Sequence, residues 1–283
     1  MKTSFTPSSL PNVEMDIGRF RKTIWAHYRL HKRDLPWRRT KNPYRVLVSE
    51  VMLQQTQVAR VIPKYKLFLK KFPTIQALSR ASLREVLRAW QGLGYNRRAL
   101  SLKRIAGVIC KKYNGKVPSD SEFLNVLPGV GEGTAGAIGA FAFSKPVVFI
   151  ETNIRRVYIH FFFKNRRKVS DKEILPLVEE ILDRKNPREW YWALMDYGAM
   201  LSGQGENPNR RSTHHTKQSR FVGSKRELRG KILRILLRKK SATIIQITKT
   251  LLRPHSEVLG ALRELEKEGF MGIKRGKARI LTK

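Results

Sequence analysis

Residues 127–151 constrain this chain more than any other stretch. They read Leu-Pro-Gly-Val-Gly-Glu-Gly-Thr-Ala-Gly-Ala-Ile-Gly-Ala-Phe-Ala-Phe-Ser-Lys-Pro-Val-Val-Phe-Ile-Glu. Glycines at 129, 131 and 133 permit positive φ and let another backbone come close. Val130 packs the turn inward, and the Gly131 and Glu132 amides open a helix expected over 134–143. A helix start of this kind presents unpaired N–H groups and the positive end of the dipole, which suits a phosphate. The Ala/Gly alternation over 135–140 lets that helix press closely on a partner, and the apolar run 147–150 then delivers the carboxylate of Glu151. Taken alone, Leu-Pro-Gly-Val-Gly also fits an ordinary tight turn.

The charge balance narrows the choice. The 283 residues carry 58 Lys+Arg against 22 Asp+Glu, a formal net charge of +36, while 41% are hydrophobic. The excess points to a polyanionic partner, and the apolar content to a folded chain long enough for one large or two modest domains. The single cysteine, Cys110, reads as a buried small hydrophobe. One thiol allows neither an intramolecular disulfide nor an all-cysteine metal site, and it fits a reducing compartment. No transmembrane-length apolar run or signal h-region is present. The expectation is a soluble, cytoplasmic, nucleoid-associated monomer without membrane contact.

Taken in order, residues 1–14 read as a flexible N-terminus. Apolar spacing predicts a helix over 15–31, followed by a basic segment, Arg33-Asp34-Leu35-Pro36-Trp37-Arg38-Arg39. One helix is expected over 44–60, with Glu50 in an apolar run and Gln54-Gln55-Thr56 one turn later. Glu50 is then either a helix-face salt bridge or a buried acid of shifted pKa. Short helices follow at 63–71, 74–80, 82–91 and 97–113, then a helix from Asn153 with Arg155 and Arg156 on one side, and further helices at 171–183 and 188–201. Residues 203–224 read as a basic linker, and His214-His215 as surface loop, since no ligand-type partner is spaced to join them. From Lys225 the pattern gives three helices and a hairpin around Arg275-Gly276-Lys277. That pattern is similar to a winged helix-turn-helix. The alternative is a protein-docking module, favoured by Glu264, Glu266 and Glu268.

Several segments together carry a resemblance. They are Leu35-Pro36-Trp37-Arg38, Pro43-Tyr44-Arg45-Val46, Ser49 through Val58 (SEVMLQQTQV), Trp90-Gln91-Gly92-Leu93-Gly94-Tyr95, Leu127–Ile138 and Met195-Asp196-Tyr197-Gly198-Ala199-Met200. Through them the chain resembles the helix-hairpin-helix DNA glycosylases (the HhH-GPD superfamily), most closely MutY-type adenine glycosylases. The resemblance implies an all-α, two-lobed glycosylase domain over 15–202, followed by a small winged-helix-like α+β domain over 225–283.

It also implies a monofunctional enzyme of base excision repair that flips a mispaired base out of duplex DNA and hydrolyses its N-glycosidic bond. The base would be adenine opposite 8-oxoguanine or guanine. The alternatives are thymine or uracil opposite guanine, another modified base, or a non-catalytic DNA-binding protein on a degenerate fold. In the implied site, Glu50 protonates the leaving base, Glu151 stabilises the oxocarbenium-like sugar and Asn153 belongs to the same motif. Gln54 and Gln55 fill the gap in the duplex and Tyr95 stacks beside the opposite base. Arg38, Gly129, Gly131, Gly133 and Arg155 contact DNA or the lesion, and Trp37 and Trp192 line the base pocket. Lys225, Arg226, Arg229, Arg275 and Lys277 are expected to track phosphates. A monovalent cation at the Leu127 and Val130 carbonyls is the one metal implied.

Departures from the family pattern carry their own expectations. Gly133 stands where lyase-active relatives have lysine, so no β-lyase step is expected. Glu151 replaces an aspartate, so its carboxylate is retracted or the sugar sits differently. Ser202 stands at the first cluster cysteine and the other three are missing, so no iron–sulfur cluster is expected. The domain that reads 8-oxoguanine gives way to the winged-helix-like region.

Overall fold

The helix expected over 44–60 is two helices with a turn between them. In the computed structural model, which describes residues 16–205, 207–216 and 220–282, helix α2 ends at Leu53 and α3 begins at Val58. The expected flexible segment 1–14 lies outside the described residues. In chain order the elements are α1 (Ile17–His31), a 3-10 turn (Pro36–Arg39), α2 (Pro43–Leu53), α3 (Val58–Lys71), α4 (Ile75–Arg80), α5 (Leu83–Trp90), α6 (Arg97–Lys112) and α7 (Ser121–Asn125). Then come α8 (Glu132–Phe143), α9 (Thr152–Phe162), α10 (Asp171–Ile181), α11 (Pro187–Gly203), a second 3-10 turn (Pro208–Arg211) and α12 (Lys225–Arg238). The chain closes with β1 (Ala242–Thr243), α13 (Ile244–Leu251), α14 (His255–Lys267), β2 (Met271–Lys274) and β3 (Lys277–Ile280). Helix starts follow local chemistry. The Asp16 and Asn42 carboxyl and amide oxygens accept from amides in the first turns of α1 and α2, and Ser82/Glu85 and Ser170/Glu173 form reciprocal capping boxes.

The chain divides into two compact units. The first is the described part of residues 1–41 and 131–217, the second that of 42–130 and 218–283. In the first, Phe20 of α1 sits among Tyr158, Phe161, Phe162 and Trp190, with ring centroids 5.0–6.2 Å apart. Helix α8 uses its small residues as expected. An added Cβ at Gly136 would lie 2.4 Å from the Phe149 Cβ, and one at Gly139 would lie 3.3 Å from Val147. The stretch expected as a linker is built into this unit as far as Thr213. Asn209 is buried and donates to the Thr152 carbonyl at 2.9 Å, Arg211 donates to the Phe163 and Lys164 carbonyls, and Val169 bridges to Ser212.

The second unit holds α2–α7 and the carboxyl-terminal elements. Trp90 is fully buried against Phe68, and the Tyr44 hydroxyl donates to the Phe72 carbonyl at 2.7 Å. Cys110, expected to be buried, is only half-buried on α6. The carboxyl-terminal part is α12, α13 and α14 with a three-stranded antiparallel sheet in the order β1-β3-β2. The two-residue strand β1 was not expected, because Ala-Thr carries no alternation to read. The order of elements is that of a winged helix.

Arginines fasten this part to α5 and α6. Arg84 donates to the Leu236, Leu237 and Lys240 carbonyls at 2.9, 3.2 and 3.2 Å, and Arg88 to that of Leu237 at 3.1 Å. They satisfy the open carbonyl end of α12, where a cation also meets the negative end of the dipole. Glu268 receives Arg97, and Arg104 donates to its carbonyl at 2.9 Å.

The tightest approach in the first unit makes a stability prediction. Gly136→Ala forces Phe149 or α8 to move, an overpacking cost of about 1–3 kcal/mol. Urea denaturation of the variant should show that loss at unchanged m-value; wild-type stability would mean that the segment yields freely.

Candidate active site

The chain places two carboxylates in different units, each within its own framework. In the first unit, Glu151 is the N-cap residue of α9. Its Oε1 accepts from the Asn153 and Ile154 amides at 2.8 and 2.9 Å, and its Oε2 from the Asn153 side-chain amide at 3.2 Å. Aspartate, asparagine and serine are the usual caps. The glutamate carboxylate turns back onto the first turn of its own helix. Asn153 then accepts from Arg156 at 2.8 Å, and Arg156 donates to the Gly198 carbonyl at 2.6 Å. Gly198 is required there, because an added Cβ would lie 2.5 Å from the Asn153 carbonyl. Burial raises the pKa of Glu151, against the Ile154 and Asn153 amides and the Arg155 and Arg156 charges.

Gly133 lies in the first turn of α8. A Cβ there would meet the Ile150 carbonyl at 3.1 Å, so glycine lets the segment leading to Glu151 pass close to α8. Gly131 is the N-cap of α8 and, as glycine, brings no side chain to cap it. Gly129 is in the left-handed region at φ 79°, and a Cβ there would lie 2.8 Å from the Ser101 hydroxyl. The Leu127 carbonyl accepts from the Val130 amide at 3.1 Å.

In the second unit, Glu50 is half-buried on α2 beside buried Val51 and Met52. The Tyr65 phenol is pushed up to about 12, chiefly by burial; Arg45 opposes the shift and the Glu50 charge adds to it. One turn beyond Glu50, Gln54, Gln55 and Thr56 lie in the turn between α2 and α3, not on the expected single helix. Gln55 is exposed at φ 54°, and Tyr95 adopts φ 47° at the end of a second turn that also holds Gly92 and Gly94 at φ 93° and 74°. Positive φ in non-glycine residues is costly and collects at working sites.

Arg98 joins the two turns. Its buried guanidinium donates to the carbonyls of Val51, Met52 and Gln54 and to the Thr56 hydroxyl on one side, and to those of Leu93 and Gly94 on the other. It also lies 5.4 Å from the Tyr95 ring centroid. Sequence reasoning missed Arg98, since nothing local separates it from Arg97 beside it. It also missed the role of Asp196.

Asp196 takes a fork from Arg38 at 2.7 and 2.7 Å and the Arg33 side chain at 2.6 Å. Burial opposes its ionisation, yet the Arg38 and Arg33 bonds and charges hold it below the usual carboxylate range. Arg38, expected to contact DNA, is therefore a buried ion-pair partner. Arg155 is likewise held by Asp171, at 2.6 and 2.7 Å. Trp37 is buried in its 3-10 turn. Trp192 is buried, stacked on Phe141 at 5.9 Å, with the Arg188 and Arg38 guanidiniums 4.5 and 5.2 Å from its ring, so it packs as core. Of the cations expected to track phosphates, Arg229 is held by Glu264 and Glu268 at 3.4 and 2.5 Å. Arg226 donates to the Tyr95 hydroxyl at 2.7 Å, and Lys225 lies 3.8 Å from Glu264. Arg275 and Lys277 are exposed on the β2–β3 hairpin. Glu264 and Glu268 thus serve contacts inside the chain, and Glu266 accepts from the Ile273 amide at 2.9 Å.

The donor set does not fit a thiolate-held cluster. Cys110 is the one cysteine in the sequence, and no group of three or more His, Cys, Asp or Glu among the described residues could hold a metal. No helix among the described residues is long and apolar enough to cross a membrane.

Residues 48–183 match the model of the HhH-GPD superfamily base excision DNA repair protein. An adenine DNA glycosylase of Buchnera aphidicola (Baizongia pistaciae) is 39% identical over 185 residues, 64% of this chain and 52% of that protein. The adenine DNA glycosylase of Mycobacterium tuberculosis is 47% identical over 135 residues, 47% of this chain and 44% of that one. The chain therefore spans about half the length of the curated relatives it matches. Among solved structures, a thermostable thymine-DNA glycosylase superposes with a TM-score of 0.59 at 27% identity, covering 66% of this chain and 87% of that one. Endonuclease III in a DNA complex gives 0.51 at 22%, covering 74% and 92%, a likeness of fold.

The raised pKa of Glu151 fixes the sign of a pH effect. The folded chain keeps this proton to higher pH than the unfolded chain. The stability it provides is therefore complete below the ordinary carboxylate pKa and declines as pH rises through the window up to the raised value. Glu151→Gln keeps an oxygen for the Asn153 and Ile154 amides and removes the ionisation. By urea denaturation it should match wild type near about pH 4 and be at least as stable near about pH 8. A variant clearly weaker at the higher pH would show that the carboxylate's hydrogen bonds outweigh its burial.

Proposed function

We propose that this chain, which belongs to the HhH-GPD superfamily through residues 48–183, is a monofunctional DNA glycosylase that removes adenine mispaired with 8-oxoguanine or guanine. The observation that carries the reading is the identity of up to 47% to adenine DNA glycosylases, with Glu50, Gln54, Gln55, Tyr95, Glu151 and Asn153 all inside the matched family segment. The double-stranded DNA partner is supported by the net charge of +36.

Cleavage of an N-glycosidic bond leaves negative charge on the base and positive charge on the sugar. Glu50, half-buried beside Val51 and Met52, supplies the proton to the departing purine. Water adds its hydroxyl to C1′, and its remaining proton restores the acid, so atoms and charge balance. Glu151 meets the cationic sugar. A carboxylate fixed by two backbone amides and stripped of water needs no reorganisation as that charge appears. Asn153, bonded to both Glu151 and Arg156, holds the carboxylate's second oxygen in place. Gln54 and Gln55, on a turn clamped by Arg98, fill the space the flipped nucleotide leaves, and Tyr95 stacks beside the opposite base. Gly129, Gly131 and the amide end of α8 grip the backbone phosphate without reading sequence.

The deciding assay incubates the full chain with duplexes carrying A·8-oxoG, A·G, T·G or U·G and cleaves abasic products with alkali. Adenine release is expected. Release of thymine or uracil alone would move the chain to a different substrate, and no release from any duplex would make it a binding protein. Glu50→Gln should bind the same duplexes and lose roughly 10²–10⁴-fold in single-turnover excision. Near-normal turnover in that variant would remove Glu50 from the mechanism.

Gly133 offers no amine and the chain no thiolate set, so the reaction proceeds without a Schiff base and without an iron–sulfur cluster. Borohydride should trap no covalent adduct with abasic DNA, and metal analysis of the purified chain should find no iron. A trapped species or a brown preparation would overturn this part.

A further inference from the structure

Arg226 of the carboxyl-terminal domain reaches the turn that carries Tyr95. Its Nη1 donates to the Tyr95 hydroxyl at 2.7 Å and its guanidinium carbon lies 5.6 Å from the ring centroid. Arg98 lies 5.4 Å from the same ring and donates to the Gly94 carbonyl immediately before it. Tyr95 is thus held by two guanidiniums while its backbone sits at φ 47°, a region a bulky residue occupies only when its surroundings impose it. Through Arg98 this turn is tied to the one bearing Gln55, which is also in positive φ.

Arg226 is an odd choice for its helix. It lies in the first turn of α12, where the dipole disfavours a cation, and Ser224 and Glu227 already supply the cap and the acidic first-turn residue. Nor is the domain loosely tethered. Arg84 and Arg88 fix the far end of α12, and Glu268 gathers Arg97 and Arg229. With both ends of its helix fixed, Arg226 has a defined position relative to Tyr95.

We propose that Arg226 is a positioning residue that sets the Tyr95 ring, so that discrimination between bases opposite the excised one depends on the carboxyl-terminal domain. This rests on the glycosylase reading above. It replaces a phosphate-anchoring role for Arg226 with a side-chain contact inside the chain.

The test uses the full chain as wild type, Arg226→Ala, Arg226→Lys, Tyr95→Phe and the Arg226→Ala/Tyr95→Phe double variant. Single-turnover excision is measured on A·8-oxoG and A·G duplexes, and binding on duplexes bearing a tetrahydrofuran abasic analogue opposite each base. Thermal melts check that each variant folds. Arg226→Ala should change the ratio of the two excision rates by about tenfold, the scale of one charge-assisted hydrogen bond with a cation–π contact. Tyr95→Phe should act in the same direction, and the double variant should do no more than the larger single change. Arg226→Lys keeps the charge and loses the planar fork, so it should fail to restore the ratio.

Full rescue by lysine, or an equal weakening on every duplex, would mean a phosphate contact and overturn the proposal. If wild type releases no adenine, the glycosylase reading fails. Arg226 is then judged by the binding cycle: opposite-base preference lost non-additively supports it, and additive effects overturn it.

Discussion

The buried guanidinium of Arg98 organises the second unit. At the carboxyl end of α2 the backbone carbonyls have no partners within the helix, and in a buried setting each open carbonyl is costly. One arginine, with five donors in a fixed plane, satisfies several of them and the Leu93-Gly94 turn together. Burial lowers its pKa to about 10, which still leaves it charged at neutral pH. Because the donors are planar, the two turns are fixed in one mutual arrangement, and the positive-φ residues Gln55 and Tyr95 are held at their tips. Lysine, a point charge on a flexible stem, could not do this.

A comparable economy operates in the first unit around Asp196 and Glu151. Asp196 is buried and ionised because two arginines surround it, so Arg33 and Arg38 join the amino-terminal segment to α11. Glu151 is buried with two amides and a side-chain amide as its bonds, and with arginines nearby rather than paired to it. The difference matters chemically. A carboxylate locked to an arginine has spent its charge, whereas one held by backbone amides can still meet a cation that forms beside it.

Acidic residues are scarce in this chain, and the structure uses them for assembly. Glu264, Glu266 and Glu268 hold α12 and the hairpin within the carboxyl-terminal domain, Glu268 also binds α6, and Asp171 holds Arg155. Several arginines that a sequence reader assigns to DNA are therefore already committed, while the exposed Arg275 and Lys277 remain on the hairpin. Net charge measures attraction for a polyanion and leaves open which cations make the contacts.

What the sequence determined by itself was the local grammar. Helix caps, the glycine turn at 129–133, the small-residue face of α8 and the family motifs are contiguous patterns, and each reports on neighbours a few residues away. They singled out Glu50, Glu151, Asn153, Gln54, Gln55 and Tyr95 as candidates and gave the three-helix-plus-hairpin order of the last sixty residues. Tertiary structure decided which charges are paired, because partners such as Arg98 and Gln54, Arg38 and Asp196, or Arg226 and Tyr95 lie 44, 158 and 131 residues apart. It also decided that 54–57 is a turn. The stretch Gln54-Gln55-Thr56-Gln57 holds no glycine or proline to mark a stop, and the break is stabilised by a guanidinium that arrives from a later helix, which no local pattern contains.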